Sequence, residues 1–191
     1  MTASHVRTLN ALGLLGCSAV LLVAFGYQFH LGELPCPLCL LQRSAFAAAG
    51  IGFALSVRFG PRPSHYGVVI LSAVAGACVS ARQVALHIVP GTGGYGSTLA
   101  GLHFYTLALI AFAAMIVGVG VLLLSEGAVS PELRDEQNSV SAFRKACLLL
   151  FICVVLANGV STVAECGSGL CPDDPSRYEA LDDWLARFGL R

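Results

Sequence analysis

The chain has 191 residues, 56% of them hydrophobic and 12% charged, with a mean hydropathy of +0.77. Soluble domains carry about 25% charged residues, so this composition belongs to a membrane protein rather than a water-soluble one. Acidic and basic side chains balance at 11 each, which leaves a formal net charge of zero and no basic stripe to hold nucleic acid.

A helix needs about 20 predominantly apolar residues to cross a bilayer. The first such run lies near 11–29, behind Arg7. Its core, Leu12 to Phe25, has the look of a cleaved signal, but Gly26-Tyr27-Gln28 is a poor cleavage site and the run is long enough to span. It is therefore read as a membrane span, with Tyr27 and His30 expected to anchor its end at the interface.

The second run, near 37–57, opens with "PCPLCLLQR" at 35–43. Pro35 keeps the preceding chain out of a helix, and Pro37 suits the first turn. Residues three and four apart share a helix face, so Cys36, Cys39 and Arg43 stack down one side with Gln42 close by. The two cysteines sit at a helix N-terminus, where partial positive charge favours thiolate, the attacking species in disulfide exchange. Arg43 adds a full charge roughly one turn deeper. An arginine inside a span costs several kcal/mol unless it snorkels or finds a partner. Beneath a redox-capable pair, the expected partners are a thiolate or the polar head of a lipid-soluble molecule.

The third run, near 66–86, ends in "ARQVALHIVPG" (81–91) and a glycine-rich loop without cysteine. The fourth, near 99–124, starts at "GLHFYT", where His103 beside Tyr105 either lines a pocket or sits at the interface; His87 is ambiguous in the same way. The fifth run lies near 146–163. Four of the eight cysteines, Cys17, Cys78, Cys147 and Cys153, fall inside apolar runs, where cysteine behaves as a small hydrophobe. The other four form close pairs, Cys36/Cys39 and Cys166/Cys171. "CGSGLC" closes a tight, glycine-loosened loop, and the sequence after it reads as an amphipathic helix. Asp174 is its expected cap and Pro175 its first turn; Tyr178, Leu181, Leu185 and Phe188 share one face, with Trp184 beside it. Such a helix suits a membrane surface.

Arg7, Arg58, Arg62, Arg134, Arg144 and Lys145 place the N-terminus in the cytoplasm by the positive-inside rule, and five spans then put the C-terminus on the far side. Both cysteine pairs fall on that far side, which in a bacterium is oxidising. The expected organisation is a transmembrane bundle over 1–164 and a periplasmic tail over 165–191. An oxidising compartment disfavours the free thiolates zinc requires, so no metal site is expected. Leu40 follows Cys39 where heme attachment needs a histidine.

On "CPLCLLQR", supported by "ARQVALHIVPG" and the order of spans through residue 124, the chain resembles the DsbB family of bacterial membrane disulfide bond formation proteins. The resemblance implies an all-α polytopic membrane helical bundle: a four-helix core around a quinone site, to which this chain adds a fifth transmembrane helix and a short amphipathic C-terminal helix. It also implies an inner-membrane oxidoreductase that takes electrons from a periplasmic thioredoxin-like oxidase (DsbA-like) and passes them to ubiquinone or menaquinone. Carried over, Cys36 and Cys39 are the quinone-proximal pair, Cys39 is the sulfur at the quinone, and Arg43 lies beside the ring. Gln83 stands where members often have a histidine; it can donate a hydrogen bond but cannot take a charge. Gln42 and His103 complete the expected quinone-binding set.

The family's second cysteine pair normally lies between the third and fourth spans. Here Cys166 and Cys171, after the fifth span, are read as that pair relocated. It would accept electrons from the partner and hand them to Cys36, expected to be the more exposed sulfur of the inner pair. Two rival readings stand beside this one. One is a quinone reductase like the vitamin K epoxide reductases, in which the loop pair usually precedes the CxxC pair. The other is a non-catalytic membrane protein with structural disulfides.

Overall fold

The computed structural model describes residues 3–125, 141–167 and 169–187. Arg134 and Phe188 lie outside these ranges. Five long helices, α1 (Ala3–His30), α2 (Pro37–Phe59), α3 (Pro63–His87), α4 (Phe104–Leu124) and α5 (Ala142–Cys166), are each long and apolar enough to cross a membrane. A short α6 (Glu179–Arg187) follows in the tail. The protein is thus an all-α polytopic bundle. Its only pairing of strands among the described residues is a two-residue hairpin, β1 (Thr98–Leu99) with β2 (Leu102–His103).

Local chemistry sets the helix starts. Pro37 opens α2 and Pro63 opens α3, each at a position where the missing N–H costs nothing. Ser141 caps α5 by accepting from the Arg144 amide. Packing then orders the helices. α3 lies between α2 and α4, α1 packs on α2, and α5 packs on α1 and on the near side of α2. Small residues let these helices approach closely, as is usual where lipid supplies no hydrophobic drive for association. A Cβ on Gly76 would collide with the Phe112 ring of α4, and one on Gly50 with the Phe151 ring of α5. At the end holding the N-terminus, Asn10 donates to the Tyr66 hydroxyl at 2.9 Å and clips α1 to α3 inside the bundle.

The tail departs from its expected form. The helix begins at Glu179 and not at Asp174-Pro175. Pro175 is buried, and Tyr178 extends its hydroxyl to the Gln28 amide at 3.1 Å, so the segment before α6 is committed to the bundle surface. Arg177 then bridges Glu179 and Asp182 at 3.1 and 3.4 Å across the first turn of α6. Those first-turn acids complement the positive helix end.

Candidate functional site

Cys36 and Cys39 are joined as a disulfide at the start of α2. Cys36 is the N-cap residue, in extended conformation, and its Sγ accepts the Cys39 amide at 3.2 Å. A sulfur thus stands where a serine or aspartate side chain usually satisfies an orphan N–H. Gln83 of α3 donates toward both sulfurs, at 3.4 Å to Cys36 and 3.7 Å to Cys39, and accepts from Gln42 at 2.7 Å. The expectation that Cys36 is the more exposed sulfur is overturned. Cys36 is 6% exposed, whereas Cys39 is half-buried and faces a cavity. The cause is the cap itself, which turns Cys36 inward against Gln83.

Arg43, one turn below, is buried and held from α1. Nη1 donates to Gln28 Oε1 at 2.6 Å, Nη2 to the Ala24 carbonyl at 3.2 Å, and the guanidinium lies 5.6 Å from the Phe25 ring centroid. Gln28 in turn donates to Ser161 of α5 at 2.8 Å and to Tyr178 of the tail. One glutamine therefore links the arginine, the fifth helix and the tail. Glu165 of α5 is fully buried one helical turn beyond Ser161, on the same face.

Behind the disulfide lies a cavity of about 300 Å³ between α1, α2 and α4. Cys39, Gln42 and Arg43 line one side, and Tyr27, Phe104, Tyr105 and Ala108 face them. Tyr27 is thus a wall residue, in edge contact with Phe104 at 4.6 Å, where the sequence suggested an interface anchor. Neither Gln83 nor His103 lines this cavity. Gln83 acts on the sulfurs from the α3 side, and His103 stacks on Tyr105 at 5.1 Å, with His87 also stacked on that ring at 5.2 Å. A second apolar cavity of about 680 Å³ continues along α1 and α4, sharing Val20, Phe46 and Ala111 with the first and bordered by Gly13, Gly16 and Gly118.

The loop between α3 and α4 closes the end of the bundle that holds the Cys36–Cys39 disulfide. Tyr95 donates to the Leu34 carbonyl at 2.9 Å, and the Ser97 amide and hydroxyl both donate to Glu33. Ala100 and Gly101, at φ 54° and 80°, form the tight turn of the small hairpin. Burial, then the acidic neighbours Asp174, Glu165 and Glu33, hold the Tyr95 phenol above its ordinary range.

The second pair, Cys166–Cys171, is also a disulfide. Cys166 is the last residue of α5 and is buried at 8%, while Cys171 is half-buried and its neighbour Leu170 is 98% exposed. Through Ser161 and Gln28 this end of α5 is the end of the bundle that carries Cys36–Cys39. Cys17 and Cys147 lie in the apolar core. Among the described residues no cluster of metal-ligating side chains occurs.

The first half of the chain has relatives. Residues 6–94 match the model of a family described as Disulfide bond formation protein DsbB. Over that segment the chain is similar to the DsbB family. Proteins named Disulfide bond formation protein B are 43% identical over 84 residues in Xanthomonas axonopodis pv. citri, 40% over 88 residues in Marinobacter nauticus and 36% over 78 residues in Azoarcus sp.. These alignments cover 41%, 44% and 39% of this chain and 49%, 52% and 47% of the respective relatives, so the chain matches about half the length of each. No solved structure matches. The DsbB-like segment carries α1 to α3 with Cys36, Cys39, Gln42, Arg43 and Gln83; α4, α5 and the tail pair lie beyond it.

Sequence reasoning missed Gln28, Tyr95 and Glu165. Glu165 did carry a signal, as a carboxylate ending an otherwise apolar run in "STVAEC". Gln28 and Tyr95 carried none, because their roles depend on partners 15 and 61 residues away.

Proposed function

We propose that this protein is a quinone-dependent thiol oxidoreductase of the bacterial inner membrane. It reoxidises a periplasmic thioredoxin-like dithiol oxidase, with its N-terminus cytoplasmic and its tail periplasmic. The observation that carries the reading is the opening of a disulfide sulfur, Cys39, into an apolar cavity whose buried cation is Arg43. The residues present suit a quinone. An aromatic and aliphatic wall fits a ring, Arg43 and Gln42 offer N–H donors, and the connected apolar cavity along α1 and α4 fits an isoprenoid chain. Bound there, ubiquinone or menaquinone supplies the acceptor for two electrons and two protons.

The chain's own residues do the rest. A thiolate of the reduced partner attacks Cys171, the reachable sulfur of the tail pair, and Cys166 leaves as thiolate on the bundle side. Cys166 then attacks Cys36, once the segment before Cys36, fastened by Tyr95 at the Leu34 carbonyl, loosens, and Cys39 leaves as thiolate. The helix N-terminus and Arg43 hold that negative charge in the cavity. The partner's second thiol resolves its mixed disulfide and frees Cys171, which attacks Cys166 and expels Cys36, so the partner loses two electrons and two protons, and the tail pair recloses as the inner pair opens. When Cys36–Cys39 recloses, those two electrons leave through Cys39.

The test uses the full chain in nanodiscs containing quinone, with a reduced thioredoxin-like oxidase as substrate, and follows quinone absorbance. Turnover is expected for the wild-type protein and none for Cys39→Ser. Equal turnover in both would eliminate the proposal.

A further inference from the structure

Glu165 is fully buried, and neither of its carboxylate oxygens has a hydrogen-bond partner. An isolated carboxylate in such a place is expensive, and the usual remedy is a nearby opposite charge. Arg43 is a buried cation joined to this end of α5 through Gln28, which accepts from the guanidinium and donates to Ser161, one turn before Glu165; the guanidinium's hydrogen bonds go to Gln28 and the Ala24 carbonyl. The two groups thus meet at one junction without a hydrogen bond between them. Glu165 lies on the face of α5 that also presents buried Asn158 and Ser161 to the bundle. That face belongs to a helix outside the DsbB-like segment.

We infer that Glu165 is a positioning residue that acts through Arg43: its charge weakens the field Arg43 exerts on Cys39 and so sets the redox balance of the Cys36–Cys39 pair. The inference rests on the proposed thiol chemistry of that pair. Arg43 lies one helical turn from Cys39, and both face the same cavity, so a full guanidinium charge favours the thiolate and with it the reduced pair. A neighbouring carboxylate offsets part of that charge. The fifth helix would then adjust the inner couple without touching sulfur, keeping it from holding electrons too tightly to release them.

The experiment equilibrates the full chain, purified in detergent, with glutathione redox buffers, and counts free thiols at Cys36 and Cys39 by alkylation and mass spectrometry. The exchange balances as one disulfide plus two glutathione thiols giving a dithiol plus glutathione disulfide. In Glu165→Gln the guanidinium stays tied to Gln28 and Ala24 while the opposing charge is gone. The equilibrium is expected to move toward the dithiol by on the order of tenfold, or about 30 mV. Glu165→Asp should restore the wild-type value. In an Arg43→Gln background the Glu165→Gln change should produce no further shift. An unchanged equilibrium in Glu165→Gln, or a shift that persists without Arg43, overturns the inference. If Glu165→Gln does not assemble, Arg43→Gln/Glu165→Gln decides: recovery of assembly supports the charge pairing, and failure beside a well-assembled Arg43→Gln overturns it. A pair that never exchanges with glutathione in the wild-type chain would instead sink the proposed function, so the two failures are distinguishable.

Discussion

The two disulfides occupy opposite ends of helices, and that difference gives them opposite characters. Cys36–Cys39 begins α2, where unpaired amides and the macrodipole present positive charge, with Arg43 below. Cys166 ends α5, where the carbonyl end of the helix and buried Glu165 present the reverse. A thiolate is therefore at home in the inner pair and ill-placed in the outer one. The outer pair is also the accessible one, bridging a short loop whose Leu170 stands almost free of the protein, while Cys36 is capped and covered. Under the proposed function, negative charge created at the tail pair would move toward Cys36–Cys39, the direction that oxidation of a soluble partner requires.

The largest expected effect divides the pairs by substrate. A Cys166→Ser/Cys171→Ser variant should lose quinone-linked oxidation of a protein partner altogether while still oxidising a small dithiol through Cys36–Cys39. Undiminished turnover with the protein partner would erase the distinction between an outer and an inner couple. Next comes the order within the tail. With a partner lacking its resolving cysteine, the chain with its tail disulfide intact should accumulate a mixed disulfide mapped to Cys171, with Cys166 leaving as thiolate, and little at buried Cys166. Dominant trapping at Cys166 would reverse the assignment.

Arg43→Gln tests the charge at the inner end. Charged hydrogen bonds contribute about 1.5–3 kcal/mol, so the apparent quinone KM should rise on the order of 10- to 100-fold. A KM equal to wild type would remove Arg43 from the site. The smallest effect concerns the cover. Tyr95→Phe deletes one hydrogen bond to Leu34, worth about 1 kcal/mol, and should raise the alkylation rate of reduced Cys36 about fivefold. The Tyr95 phenol is shifted upward, so its donation is intact below the ordinary tyrosine value of about 10 and is lost only as pH climbs through the higher folded value. In the wild-type chain Cys36 protection should therefore survive past that ordinary value and then fall, and in Tyr95→Phe that alkaline step should be absent.

Much of this site could be read from the chain because it is local. The spans follow from runs of apolar residues, and Pro37 after Cys36 announces a helix start. The stacking of Cys36, Cys39 and Arg43 follows from spacings of three and four on one helix. Where the reading failed, a distant partner decided. Tyr178 looked like the apolar face of a tail helix, yet its hydroxyl meets Gln28, and the helix starts after it. His103 could have lined a pocket or sat at the interface; Tyr105 takes the wall position, stacked on both His103 and the distant His87 of α3.

The sequence by itself determined five membrane-length helices, a cysteine pair at one helix N-terminus with a cation one turn inside, and a second pair beyond the last span. All of these depend on neighbours within a few residues, where helix periodicity sets the geometry. Only the tertiary structure decided that Gln28 of α1 holds Arg43, that Cys36 is covered while Cys39 opens on a cavity, and that Glu165 of α5 is buried beside the Ser161 that Gln28 binds. Those outcomes depend on which faces of separate helices meet. Packing settles that through shape, in places such as the Phe112 ring seated on Gly76, and no local pattern encodes it.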